Sequence, residues 1–448
     1  MVKWSAYNII EEKYGSCLIY NTRTSAIVKM DASSFHGIDE LVSNTFTSIA
    51  NNEHIQSLYK QGILVDSSTD ENELVKKRYL DHYYDKQRLN LTILPIESCN
   101  LTCPYCFIYN YTRSTMSKEL AEGVFNFIKH RLSLRDRNKK FTMNINWYGG
   151  EPLLRTSFIL QFMAKLSAYI DELNLNTTKE GKIELVGSIV TNGVFLTSEV
   201  VTQLCRFHVR SFQVTFDGGK EFHDKTRCDS KGCGSFDFIM KNLSSIVQLN
   251  DQFLLSLRIN FMKDSLSSII PLIDQLKELI GDDKRFLIYC RPVYHFETVR
   301  DDISRIEDNI FGLEEGLDEQ QRFTEYIEGK SSSLTSRLPT AKSSWCIEDN
   351  DYSFIIGANG LVYKCDTLIG DVKFSIGKLS NGEFIPNERN KKWNADIFQL
   401  PEFSKCVDCK LLPICYGGCK RNALEHRRTC LITEKQIRKS MNEYLERR

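Results

Sequence analysis

Residues 89–106 read LNLTILPIESCNLTCPYC. A short apolar run, 89–96, leads straight into three cysteines, Cys99, Cys103 and Cys106. The run has the length and β-prone content of a buried strand, so the cysteines fall on the loop at its end. Three thiolates on one loop can hold three irons of a 4Fe–4S cluster and leave the fourth iron open to a substrate. A zinc knuckle is the alternative, and it would want a fourth Cys or His close by. None lies within the loop, and the nearest histidine, His82, is on the far side of the strand.

Downstream of this loop the pattern repeats. Strand candidates at 143–148, 183–190, 212–216, 254–261 and 286–293 alternate with amphipathic stretches. One stretch carries Leu120, Val124, Phe127 and Ile128 on a single helical face, and another carries Ile269, Ile273, Leu276 and Ile280. Six βα units predict an α/β fold whose parallel sheet is covered on both faces. A partial (β/α)6 barrel fits over 89–300, with its chemistry where strands end and loops begin.

The flanks differ from this middle. Residues 1–67 hold three short strand candidates (6–12, 16–21, 25–31), then helical stretches at 33–43 and 45–61, which suggests a winged-helix-like domain. The polar stretch 66–73 begins a linker over 68–88 or starts a helix. Residues 301–345 form a charged, helical bridging region with a Ser-rich loop at 331–336. A cysteine-rich segment, 346–432, is expected to depend more on metal than on a large hydrophobic core. A C-terminal helix over 433–448 closes the chain.

Bulk composition narrows the function classes. Lys plus Arg equals Asp plus Glu at 58 each, so no net field favours nucleic acid or a membrane surface. No apolar run is long enough to cross a bilayer, and the N-terminal stretch does not have the form of a signal peptide. A cytoplasmic location is expected. In a reducing compartment, fifteen cysteines point to metal ligation or catalysis rather than disulfides. Besides the first three, Cys346 and Cys365 precede a tight group, Cys406, Cys409, Cys415 and Cys419, and then Cys430. Gly360 fits a hairpin turn that returns Cys365 toward Cys346. A zinc ribbon is the alternative for this group. Cys17, Cys205 and Cys290 sit in apolar contexts and read as small hydrophobes, while Cys228 and Cys233 flank a polar loop after Arg227.

The cysteine loop resembles the signature of the radical S-adenosylmethionine family, and further segments extend the resemblance over about 89–295. Gly149-Gly150-Glu151-Pro152 looks like the family's GGEP motif, which implies contact with the amino group of the cofactor's methionine moiety. Tyr105 matches the aromatic position beside the adenine. Asn192, in a strand-end TNG segment, and Thr215 and Asp217, in a strand-end TFDG segment, are implied as contacts of the cofactor. Thr215 stands where relatives place a Ser near the cofactor's carboxylate or ribose. Arg227, after His223-Asp224, is implied as a partner for the carboxylate. The later cysteines resemble the SPASM domain. That resemblance implies one 4Fe–4S cluster on Cys406, Cys409, Cys415 and Cys430 and a second on Cys346, Cys365 and Cys419. Some relatives supply an additional Cys soon after the first. Here 347–364 contain none, so the second auxiliary cluster has an open iron or another ligand, such as Glu348, Asp349 or Asp351, or is a 2Fe–2S centre.

The resemblance implies three 4Fe–4S clusters and S-adenosylmethionine as cofactors, with an external donor such as flavodoxin or ferredoxin supplying electrons. It implies that a 5′-deoxyadenosyl radical acts on a ribosomally made precursor peptide to form a thioether. The N-terminal unit would hold the precursor's leader along the strand edge at 26–30. Formylglycine generation, carbon–carbon crosslinking and a non-catalytic electron carrier stay open as other readings.

Overall fold

The computed structural model describes residues 1–43, 52–106, 108, 113–294, 306–329, 334, 338–346, 349–426 and 430–446. Glu348, residues 45–51 of the predicted second helix and nearly all of the Ser-rich stretch 331–336 lie outside the described residues. The chain divides into two compact units, one of residues 1–85, 331–351 and 394–448, the other of 86–330 and 352–393.

In the first unit, β1 (Val2–Trp4) pairs antiparallel with β5 (Leu64–Asp66). A separate antiparallel sheet runs in the order β2 (Asn8–Lys13), β3 (Ser16–Asn21), β4 (Ile27–Asp31). Tyr14 and Gly15, at φ 52° and 74°, form the two-residue turn between β2 and β3, whose right-handed twist such a turn matches. Alternation along β3 explains the packing. Cys17 and Ile19 face Phe35, Ile55 and Leu58 from the helices Ala32–Ser43 and Glu53–Lys60. Leu18 and Tyr20 pack on the other side with Leu411, Ile414, Ile437 and Met441. The sheet is therefore buried on both faces. The cysteine-rich segment contributes an apolar core here, contrary to the sequence expectation, because its LLPI stretch seals this sheet.

Residues expected as a linker, 68–88, contain a thirteen-residue helix, Glu71–Tyr83, started by the Asp70 side chain accepting from Glu73 N–H at 3.1 Å. Val75, Tyr79 and Tyr83 recur at helical spacing and pack with Phe403, Leu412 and Tyr416. Burying three such side chains contributes about 1.5–3 kcal/mol each, enough to fix a helix whose exposed face is merely polar. The C-terminal helix, Glu434–Glu446, buries Ile437, Met441 and Leu445.

The second unit is built on one sheet. Six parallel strands stand side by side in chain order: β6 (Arg88–Ile93), β7 (Phe141–Trp147), β8 (Ile183–Thr191), β9 (Val209–Phe216), β10 (Leu254–Phe261) and β11 (Phe286–Pro292). Each of the six sequence candidates coincides with one of them. Beyond β6 the sheet continues through β12 (Ser353–Ile356), β13 (Leu361–Tyr363), β14 (Gly377–Ser380) and β15 (Glu383–Pro386). β12 lies parallel to β6, with Asn90 Nδ2 donating to Ser353 Oγ at 2.8 Å. The predicted hairpin at Gly360, φ 82°, joins β12 to β13. Helices fill the connections. Lys118–Ser133 is capped by Ser117 and buries Val124, Phe127 and Ile128, and Leu266–Ile280 buries Ile269, Ile273 and Leu276, while Ile280, predicted for that face, is not among its buried residues. Pairing consecutive parallel strands through covering helices brings the carboxyl ends of β6–β11 to one edge of the sheet. Among the described residues, no helix is long and apolar enough to cross a membrane.

Candidate active site

The three cysteines after β6 line one cavity together with residues from the ends of β7 to β11. Gly149 and Gly150 line it from the loop after β7, Asn192 from β8, Thr215 from β9 and Asn260 from β10. The glycines are required by close approach. A Cβ at Gly150 would overlap the Ser98 carbonyl, and one at Gly149, whose φ is 134°, would overlap the Ile96 carbonyl. Gly150 N–H donates to Ile96 O at 3.3 Å and Glu151 N–H to Ser98 O at 3.0 Å, so this loop is laced to the thiol loop through backbone bonds.

Glu151 is fully buried, and its carboxylate accepts three hydrogen bonds: Leu153 N–H at 2.9 Å and Thr191 Oγ at 2.7 Å on one oxygen, Asn192 N–H at 2.7 Å on the other. Burial pushes its pKa up, and those hydrogen bonds pull the other way. Glu151 and Pro152, expected at the cofactor, do not line the cavity; the Glu151 carboxylate instead fastens the β7 loop to the end of β8. Asn192 then donates from Nδ2 to Asn100 Oδ1 at 2.8 Å and approaches Cys99 Sγ at 3.8 Å.

A second network lies under Tyr105. The Tyr105 hydroxyl bonds Asp217, which also accepts from Thr226 Oγ at 2.7 Å and Asn260 Nδ2 at 3.2 Å. Arg227 donates from Nη1 to the Tyr105 hydroxyl at 3.0 Å and stands 3.9 Å from Asp217. Asp217, also expected at the cofactor, is thus buried beneath the cavity as the anchor of Tyr105, whereas Tyr105 and Arg227 do line it. Tyr105 has its phenol pushed far up, by burial first and then by Asp217. The thiol loop is also held from behind, where Thr102 N–H and Oγ donate to Cys228 O at 2.8 and 3.1 Å.

Burial raises the Cys99 thiol to about 11 and Cys103 further. Such thiols become thiolates when a cation binds them, which is the behaviour of soft-metal ligands. Among the described residues no three His, Cys, Asp or Glu side chains converge as ligands of one single ion. The fit to an iron–sulfur cluster rests on three thiols, of the exposed Cys99 and the half-buried Cys103 and Cys106, sharing one glycine-walled cavity.

Several lining residues escaped sequence reading. Gln213, two residues before the expected Thr215, and Arg258 with Asn260 are polar residues at alternate positions near the ends of two apolar strands. That period-two polarity was the available signal. Of the later cysteines, Cys406, Cys409, Cys415 and Cys430 belong to the first unit, where Tyr416, Gly417 and Gly418 take three successive positive φ values ahead of Cys419. Cys346 is also in the first unit. Its N–H donates to Asp349 Oδ2 at 3.3 Å and its carbonyl accepts from Asp349 N–H at 3.0 Å. Cys365 is in the second unit, 3.1 Å from Thr367 Oγ.

No family model matches the sequence. The chain is 26% identical over 359 residues to a cysteine-type anaerobic sulfatase-maturating enzyme of Clostridium novyi, spanning 75% of this chain and 88% of that protein. It is 22% identical over 236 residues to the radical SAM cyclopropyl synthase TigE of Paramaledivibacter caminithermalis, spanning 47% of this chain and 45% of that protein. The chain belongs with the radical S-adenosylmethionine enzymes. In fold, this radical S-adenosylmethionine enzyme is similar to anSMEcpe with bound AdoMet and Cp18Cys peptide, at a TM-score of 0.52 and 17% identity over 80% of this chain and 96% of that one. It is similar to Streptococcus suis SuiB bound to S-adenosylmethionine at a TM-score of 0.51 and 16% identity over 96% and 99%.

Proposed function

We propose that this enzyme matures a ribosomally made precursor peptide and joins a cysteine sulfur to a carbon of it. The observation that carries the reading is the cavity itself, where Cys99, Cys103 and Cys106 meet the strand-end residues Gly149, Asn192 and Thr215. Those three thiols would hold a cluster and the remaining lining would hold S-adenosylmethionine, which together would supply radical chemistry able to remove a hydrogen from the peptide. The chain's own residues do the positioning. Gly149 and Gly150 allow backbone contact, Asn192 fixes the thiol loop through Asn100, and Tyr105 is locked by Asp217 and Arg227. Ile108, Val190 and Val293 contribute apolar walls that exclude water from a reactive species.

A peptide substrate is supported by the likeness to SuiB bound to precursor peptide SuiA, which covers 96% of this chain at a TM-score of 0.50 and so takes in most of residues 1–85. In that reading β4, which pairs only with β3 among the described residues, is the edge that accepts the leader as an added strand. The proposed auxiliary clusters use Cys406, Cys409, Cys415 and Cys430, and Cys346, Cys365 and Cys419. In this proposal the latter cluster keeps an iron for a substrate thiolate, and Asp349, which accepts the Cys346 N–H through Oδ2, is the protein side chain that would otherwise close it. A flavodoxin- or ferredoxin-like donor would supply the electron.

Formylglycine formation is the second reading, favoured by the sulfatase-maturating relative. Anaerobic incubation of reconstituted enzyme with a candidate precursor decides between them by mass. A product lighter by two hydrogens with one thiol lost supports the thioether, whereas replacement of a cysteine's sulfur by oxygen together with loss of two hydrogens supports formylglycine. Cys99→Ala enzyme that still forms 5′-deoxyadenosine at the wild-type rate would overturn both.

A further inference from the structure

The cavity's charge is one-sided. Its lining holds two guanidinium groups, Arg227 and Arg258, and no Asp, Glu or Lys. Arg227 is accounted for by Tyr105 and Asp217. Arg258 is different. Its Nε donates to Asn260 Oδ1 at 2.8 Å, and it meets the Tyr289 hydroxyl, which in turn donates to Gln213 Oε1 at 2.7 Å. Both of these partners are neutral, and no carboxylate among the described residues pairs with it. The partners do fix its attitude. Asn260 is held by Asp217 at 3.2 Å, so the bond at Nε orients the guanidinium plane and leaves its terminal nitrogens as donors.

A half-buried cation held by neutral groups in a ligand cavity is a recognition element for a carboxylate, because a planar fork of N–H donors matches two carboxylate oxygens. We infer that Arg258 reads an acidic side chain, Glu or Asp, on the peptide substrate near the modified residue. The inference rests on the peptide-modifying function proposed above and narrows it to acidic peptides. The same chemistry could come from the methionine carboxylate of S-adenosylmethionine, so the test separates the two sources.

Full-length reconstituted enzyme carrying S-adenosylmethionine is offered short blocked random peptides, and the bound fraction is sequenced. Wild type should enrich Glu and Asp. Arg258→Gln should lose that enrichment, and Arg258→Lys, which keeps the charge but not the fork, should retain part of it. For an enriched peptide, changing its acidic residue to the amide should weaken binding to wild type by about ten-fold and leave binding to Arg258→Gln nearly unchanged. No acidic enrichment by wild type, or equal enrichment by wild type and Arg258→Gln, overturns the inference. So does a ten-fold loss of S-adenosylmethionine affinity in Arg258→Gln, which would assign the guanidinium to the cofactor. Formation of 5′-deoxyadenosine by wild type without peptide tests the radical reading separately, since it depends on the thiol loop and not on peptide choice.

Discussion

Asn192, just past the end of β8, donates from Nδ2 to Oδ1 of Asn100 across 2.8 Å, tying the third strand end to the residue after Cys99. This bond crosses between two loops that share no backbone pairing, and it holds the first cysteine toward the cavity. Asn192→Ala should remove it at a cost of about 1 kcal/mol and loosen the thiol loop. The expected result is slower cofactor cleavage with iron content near wild type. Unchanged 5′-deoxyadenosine formation would show that the loop is positioned without Asn192.

Gly150 and Gly232 make a matched pair for testing close approach. At Gly150 an added methyl would overlap the Ser98 and Glu97 carbonyls, which are backbone and must shift. At Gly232 φ is +82°, but nothing lies within 4 Å of the added atom. Gly232→Ala should cost about 1 kcal/mol of backbone strain and leave the cavity intact. Gly150→Ala should displace the thiol loop, with loss of cofactor cleavage and of several degrees in Tm. Equal effects in the two variants would refute the contact argument.

His223 should make stability depend on pH. Its Nδ1 accepts the Asp217 N–H at 3.3 Å, so the proton sits on Nε2, which donates to Ser235 Oγ at 2.9 Å, and Ser235 donates to Arg227 O at 2.7 Å. Burial, then Arg227 and Lys220, push its pKa from 6.5 down to about 2. The unfolded chain therefore binds a proton below pH 6.5 that the folded one refuses. Stability from this group is complete above pH 6.5 and is lost as pH falls toward 2, approaching about 1.4 kcal/mol per pH unit. Denaturant unfolding at pH 7.5 and 5.5 measures the slope. His223→Phe, which keeps the ring packing with Phe216 and Phe236, should flatten it.

Deleting residues 1–67 should damage more than leader binding. Ile9, Leu18 and Tyr20 share one core with Leu411, Ile414 and Met441, so the deletion exposes the apolar side of the segment bearing Cys409 and Cys415. Truncated protein should be poorly soluble, or contain fewer irons than the roughly twelve expected of three 4Fe–4S clusters. A soluble truncation with undiminished iron would show that the C-terminal segment folds alone. Changes confined to β4 are the cleaner probe of leader binding.

Periodicity was strong where a segment's environment is set by its own neighbours. All six parallel strands and the buried faces of two helices were legible because the strands are short apolar, β-prone runs and the helices carry apolar residues at three- and four-residue spacing. The thiol loop was legible because cluster ligands must be close in sequence when one loop supplies them. The helix Glu71–Tyr83 was obscured by its charged exposed face, which resembles linker composition.

Chain order and residue type by themselves determined the parallel sheet, the three-thiol loop after its first strand and the glycines that let a second loop approach. Those are local requirements, written in spacing and in the absence of side chains. Only the tertiary structure decided which polar groups are consumed inside the protein and which face the cavity. Glu151 and Asp217 read as ligand contacts in one dimension, but three dimensions bring Thr191, Asn192 and Tyr105 onto their carboxylates. Arg258 passed as one polar residue in a strand until the pleat set it beside Asn260 in a cavity without acids. A buried charge takes its role from its partners, and partners distant in sequence are chosen by the fold.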